Sequence, residues 1–282
     1  MDQQQENHTS KNLEDHSAGR LGRAVKQIKN LGITGIIDLL RKHGLRGSYQ
    51  FITRNIQHLS ANYFAKRWDR KHGVDTAGSI RLDLLNVVGP NKDLGNECVC
   101  TSPSSFRFIM ENMPDDMGQS NRTFIDLGCG KGRTLLLAAQ YKFPKIVGVE
   151  FASELVDVAK LNIEQFFKSD VRKNDVSVLE EDATSYVFPD TDLLVYFYNP
   201  FSKPVFDKVI ESLLNNLAEK PRNCFIVYGS SSHDAIGWAA PTILETGHFS
   251  QLPTRKMPYF IDSIRRINFA IFKYEADKKS SI

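Results

Sequence analysis

The chain is predicted to be an α/β protein, a doubly wound, mostly parallel sheet preceded by a basic helical extension. Three observations predict this. From Thr123 onward, short apolar runs alternate with helical stretches, the order that builds a parallel sheet. Those runs are apolar at successive positions, so both of their faces are buried under helices. The third observation is charge: residues 20–72 hold twelve Lys or Arg against only Asp38 and Asp69, a balance of +10, while the remainder carries about −7 and the whole chain +3.

The elements follow in order. Residues 1–19 are polar and include three consecutive glutamines; they bury too little apolar surface to offset ordering entropy and are expected to form a mobile tail. Val25, Ile28, Ile36, Ile37, Leu39 and Leu40 recur near helical spacing, with breaks at Gly32 and Gly35, and a second basic helix is expected over residues 49–68. This extension reads either as a solvated cap on the main domain or as a contact for an anionic membrane or polyanion. Residues 73–100 read as an irregular connection, followed by a helix over 103–113 capped by Thr101 or Ser102. Strands are then expected at 124–127, 146–150, 176–179, 193–198 and 224–228, a late one at 267–274 and a further one near 242–245. Helices are expected at 133–140, 153–167 and 203–218. The expected division is a tail (1–19), an extension (20–72) and a catalytic domain (73–282).

Composition excludes several classes. With 41% hydrophobic and 24% charged residues the chain is an ordinary globular one. Its longest apolar runs fall far short of the roughly 20 residues that cross a bilayer, and no hydrophobic signal core stands at the N-terminus, so a cytoplasmic protein is expected, with membrane contact at most peripheral. Cys98, Cys100, Cys129 and Cys224 lack the paired spacing of a zinc site, and no metal is expected.

The segment Phe124-Ile125-Asp126-Leu127-Gly128-Cys129-Gly130-Lys131-Gly132-Arg133-Thr134 carries the chemistry. A buried strand ends at Asp126, glycines occupy alternate positions, and a Leu/Ala-rich helix begins at once. Such glycines let the chain turn sharply and a ligand touch the backbone, and the helix start offers unpaired N–H groups. A triphosphate loop would need Gly-Lys-Ser/Thr, whereas Gly132 is followed by Arg133. The G-x-G-x-G spacing also departs from the G-x-G-x-x-G of dinucleotide folds, which disfavours a nicotinamide-dependent oxidoreductase.

This turn resembles motif I of the class I (Rossmann-like) methyltransferases that use S-adenosylmethionine (SAM). The resemblance implies their seven-stranded sheet, SAM as cofactor, and a site built from Asp126, Gly128, Gly130 and Gly132. It further implies Glu150 for the ribose hydroxyls with Phe151 beside it, and Asp182 with Ala183 for the adenine. Cys100-Thr101-Ser102-Pro103 is similar to the segment covering the methionine end of the cofactor in several protein-lysine methyltransferases, which adds Thr101. Tyr198-Asn199-Pro200-Phe201 partly resembles the Asn-Pro-Pro-aromatic motif of amine and amide methyltransferases, implying catalytic roles for Asn199 and Tyr198. The second proline is missing, so sequence-specific nucleic-acid binding is not supported. The stretch Arg67-Trp68-Asp69-Arg70-Lys71-His72-Gly73-Val74-Asp75-Thr76, with the glycine turn and Tyr-Asn-Pro-Phe, is similar to a bacterial methyltransferase family without a settled substrate. The expected activity is therefore methyl transfer from SAM to an unidentified acceptor, protein or small molecule, with a lean to nitrogen: a protein lysine or a small-molecule amine. His233 and Asp234 are candidate bases. The alternative is a non-catalytic scaffold whose basic helices bind an anionic membrane or polyanion.

Overall fold

The computed structural model describes residues 33–80, 85, 94–96, 98–168, 170, 175–231, 233–260, 262 and 267–275. The expected tail and the first part of the extension lie outside them. Seven strands form the main sheet: β3 (Arg122–Leu127), β4 (Lys145–Glu150), β5 (Val176–Glu180), β6 (Asp192–Tyr198), β7 (Cys224–Ser230), β8 (Phe249–Gln251) and β9 (Asn268–Tyr274). Their order is β5-β4-β3-β6-β7-β9-β8, with β9 antiparallel to both neighbours and the other pairings parallel. A two-residue ladder, β1 (Ser79–Ile80) with β2 (Cys98–Val99), stands apart.

Alternation along the strands sorts the core into two layers. Phe124, Leu194, Tyr196, Phe225 and Val227 face one side, where α2 (Pro103–Met110), α3 (Arg133–Ala138) and α4 (Ser153–Phe167) cover them. Ile125, Leu127, Val195, Phe197 and Ile226 face the other, under α5 (Lys203–Glu219) and α6 (His233–Glu245). Helix α4 buries Leu155, Val156, Ala159, Asn162, Ile163 and Phe167, a single stripe at helical spacing. Helix α2 starts where Ser102 Oγ accepts the Ser105 N–H at 3.2 Å and Pro103 opens the first turn.

Two expectations are corrected. Residues 242–245 end helix α6 and form no strand; the added strand is β8, a few residues later. Proline disfavours a helix interior, yet Pro241 stays exposed while Ala235, Ala239 and Ile243 bury one face at four-residue spacing. In the extension, α1 (Ile33–His72) is continuous except at Gly44, whose φ of 64° and ψ of 177° kink it. Gly35 lies inside it.

The end of α1 is part of the domain. Ala61, Ala65 and Asp69 are buried. Asp69 meets Arg133, the first residue of α3, at 2.7 Å, and its carboxylate also accepts the N–H groups of Thr76 and Ala77 and the Thr76 hydroxyl. Arg133 completes its fan by donating to Thr76 Oγ1 and to the Ala65 carbonyl, and its guanidinium lies over Trp68. Nearby, Asn162 of α4 donates to the carbonyls of Asp75 and Lys131 and accepts the Asp75 N–H. The chain at 69–77 is thus stapled to the start of α3 and to the glycine turn.

Candidate active site

The cleft lies at the carboxyl ends of β3, β4, β5 and β6, where open α/β sheets hold ligands. Thr101, Asp126, Gly128, Gly130, Glu150, Phe151, Asp182, Ala183 and Tyr198 line it together, gathered from five segments of the chain. The turn after β3 is held by the N–H groups of Gly128 and Cys129, both donating to the Val149 carbonyl. Gly130 has a φ of 54°, and a Cβ there would stand 2.5 Å from Cys98 Sγ; at Gly128, with φ of 85°, it would stand 2.4 Å from the Pro200 ring. Only glycine fits these two positions.

Glu150 ends β4 and is buried. Its carboxylate accepts from the N–H of Gly130 at 2.9 Å, of Phe151 at 3.0 Å and of Ala152 at 3.1 Å. It therefore braces the glycine turn as well as facing the cleft. Burial nonetheless outweighs these bonds and holds its pKa above the ordinary carboxylate value. Asp126 is pushed up to about 8 by burial, against a lowering hydrogen bond from Thr134 and with the Glu150 charge adding to the rise. Beside it, the hydroxyls of Thr101 and Tyr196 share a 3.0 Å hydrogen bond. Asp182 accepts from the Thr184 N–H and hydroxyl, a local turn at the end of β5.

Two expected residues face elsewhere. Gly132 opens α3, and a Cβ there would meet Ala159 of α4 at 3.2 Å, so it serves helix packing. Asn199 follows β6 with a φ of 47°; Tyr198 ends the strand on the cleft side, and the next residue turns to the opposite side. There its Oδ1 accepts the Tyr228 hydroxyl at 3.1 Å. His233 and Asp234 open helix α6, and their side chains lie outside the described residues.

Sequence reasoning missed Asn96, Cys98 and Lys131, all of which line the cleft. The first two sit in the stretch read as irregular, where no periodicity marks them. Lys131 was visible within the glycine turn; its ammonium is tied to Asp75 at 3.0 Å and to the Ala77 carbonyl.

These residues fit SAM. Carboxylates end two adjacent strands, where hydroxyl and amino groups need acceptors, and the glycines leave room for a ligand against the backbone. Residues 119–230 match the family model described as a methyltransferase domain. No curated protein matches the chain. Among solved structures, the chain is similar to the human methyltransferase 10 domain containing protein (11% identity, 78% of this chain and 98% of that one, TM-score 0.47). It is also similar to a precorrin-6y C5,15-methyltransferase from Geobacter metallireducens GS-15 (15% identity, 56% and 82%, TM-score 0.41) and to the methyltransferase domain of bacterial CtHen1 (14%, 55% and 90%, TM-score 0.42). That family match falls on the segment that builds the glycine turn and the strands around it, so residues 119–230 carry a methyltransferase domain.

Proposed function

We propose that the protein methylates a nitrogen acceptor, a protein lysine or a small-molecule amine, with Asp126, Gly128, Gly130, Glu150, Phe151, Asp182, Ala183 and Thr101 holding SAM and Tyr198 walling the acceptor side. The observation that carries the reading is the acidic lining of the cleft. Among the described residues four acidic side chains line it, Glu181 and Asp182 at its mouth and Asp126 and Glu150, which burial holds toward the neutral form until a cation enters, whereas the cations Lys131 and Arg133 are each paired with an acid, Asp75 and Asp69. Such a cleft favours cationic ligands, both the cofactor and an amine. SAM supplies an activated methyl group, so the chain's task is to bind, align and exclude water.

Incubation with methyl-tritiated SAM, of cell-lysate protein in one arm and a small-molecule extract in the other, tests this. Label that survives mild base is expected, because N-methyl groups persist where carboxyl methyl esters hydrolyse. Base-labile label alone would reject the nitrogen acceptor.

The exposed part of α1 supports a peripheral partner. Residues 40–46 are exposed on every side of the helix, with Arg41, Lys42 and Arg46 beside Leu45, which is 82% exposed. Cations flanking a bare leucine suit an anionic membrane surface better than a purely polar polyanion. No helix among the described residues is long and apolar enough to cross a membrane.

A further inference from the structure

Asn96 is placed by contacts from a distant part of the chain. Its backbone N–H donates to the Pro200 carbonyl at 2.9 Å, and its Nδ2 donates to the Asn199 carbonyl at 3.0 Å. Gly95 bridges Phe201 in antiparallel fashion, and the Ser202 N–H donates to the Leu94 carbonyl at 2.7 Å. Residues 94–96 thus form a short strand-like cover on the turn after β6, and Asn96 lines the cleft.

The amide dipole is fixed by this arrangement. With one Nδ2 hydrogen committed to the Asn199 carbonyl, the orientation of the amide is set, and Oδ1 is its one acceptor, with no proton of its own. The carbonyls of Asn199 and Pro200, which an incoming N–H group would otherwise find, each already accept one Asn96 N–H. The Asn199 side-chain oxygen likewise already accepts the Tyr228 hydroxyl.

Sheet order decides which end of the ligand Asn96 meets. A cofactor whose ribose and adenine occupy the acids closing β4 and β5 extends its remaining atoms toward β3 and β6, since the order runs β5-β4-β3-β6 at roughly 4.8 Å per strand. The β6 turn is therefore at the reacting end.

We propose that Asn96, rather than Asn199, orients the methyl acceptor: its Oδ1 accepts a hydrogen bond from the acceptor N–H and turns the nitrogen lone pair toward the methyl group. The nitrogen–carbon bond forms as the carbon–sulfur bond breaks, with that electron pair left on sulfur, and the surplus proton of the new ammonium passes to solvent. Asn96 carries no proton in this step; it aligns. This inference rests on the methyltransferase reading and on a nitrogen acceptor.

Sinefungin tests it without the natural acceptor, because this SAM analogue carries an amine where SAM carries its methyl group, whereas S-adenosylhomocysteine carries nothing there. Calorimetric titration of the full chain with both ligands is expected to show Asn96→Ala weakening sinefungin about tenfold and leaving S-adenosylhomocysteine within about twofold. Asn96→Asp keeps an acceptor oxygen and should keep the preference for sinefungin. Equal weakening of both ligands by Asn96→Ala would make the residue a brace of the covering segment and overturn the proposal, as would unchanged binding of both or loss of the preference in Asn96→Asp. A parent protein that binds neither ligand would instead reject the cofactor assignment itself.

Discussion

A buried carboxyl group without a cation beside it prefers to stay protonated, and Asp126 is such a group. Its ordinary value of 3.8 is raised to about 8 in the fold. An acid raised in this direction favours the folded state at low pH, and that advantage is lost as pH climbs from about 4 to about 8, where the unfolded chain ionises first. Asp126→Asn should therefore be more stable than the parent at pH 8 to 9, with the gap closing toward pH 5; thermal unfolding across that range checks it. Cationic SAM bound beside Asp126 should lower its pKa, so at pH 7 the parent is expected to release up to about one proton and the Asn variant fewer. Calorimetry in two buffers of different ionisation enthalpy reads the difference, and equal release would remove Asp126 from the cofactor's surroundings. Glu150→Ala strips an acceptor from three backbone N–H groups, so it should cost about 1 to 3 kcal/mol of stability as well as weakening SAM. Unaltered SAM affinity would leave Glu150 as a brace alone.

At the scale of elements, the junction of α1 with α3 depends on one buried ion pair. The Arg133 and Asp69 side chains are 2% and 8% exposed, and their geometry is good because Thr76, Ala77 and Ala65 satisfy the remaining bonds. Removing one partner strands the other charge in the interior. Asp69→Ala is expected to lower unfolding free energy by about 3 to 5 kcal/mol, whereas Asp69→Leu with Arg133→Met should cost less than either single change. Urea unfolding measures all three variants. A double variant worse than both singles would mean that the pair is net stabilising beyond its geometry. Because Arg133 directly follows the glycine turn, the single variants should also bind SAM more weakly.

Across the whole molecule, charge is unevenly divided. The basic balance of residues 20–72 lies in the extension, and the acids of the cleft in the domain. The extension should carry the protein to anionic vesicles and not to neutral ones, with association falling as salt screens the contact. Arg41, Lys42 and Arg46 changed together to Glu should weaken co-sedimentation by well over tenfold, at about 1 kcal/mol per cation lost near the surface. SAM affinity should stay as in the parent, since none of the three lines the cleft. Equal sedimentation of parent and variant would return the helix to the role of a solvated cap.

Local patterns determined much of this protein. The parallel strands, the glycine turn between β3 and α3, and the acids ending β4 and β5 are readable because each depends on neighbours within a few residues: alternation along a strand, tight turning at glycine, the stripe of α4. Helix α6 escaped because Pro241 and Gly237 disfavour helix locally, and burial of Ala235, Ala239 and Ile243 against the sheet overrides them. Only the tertiary structure decided which groups meet in the cleft. Asn96 reaches the β6 turn across 103 residues and Arg133 reaches Asp69 across 64, and no periodicity encodes such closures. Asn199, prominent in the sequence, turns to Tyr228 on the far side of the sheet, while Asn96, in an unpatterned stretch, lines the cleft. The reason is physical: spacing along the chain selects the strand and the turn, but a side chain's direction is set by backbone dihedrals and by the donors and acceptors that folding brings beside it.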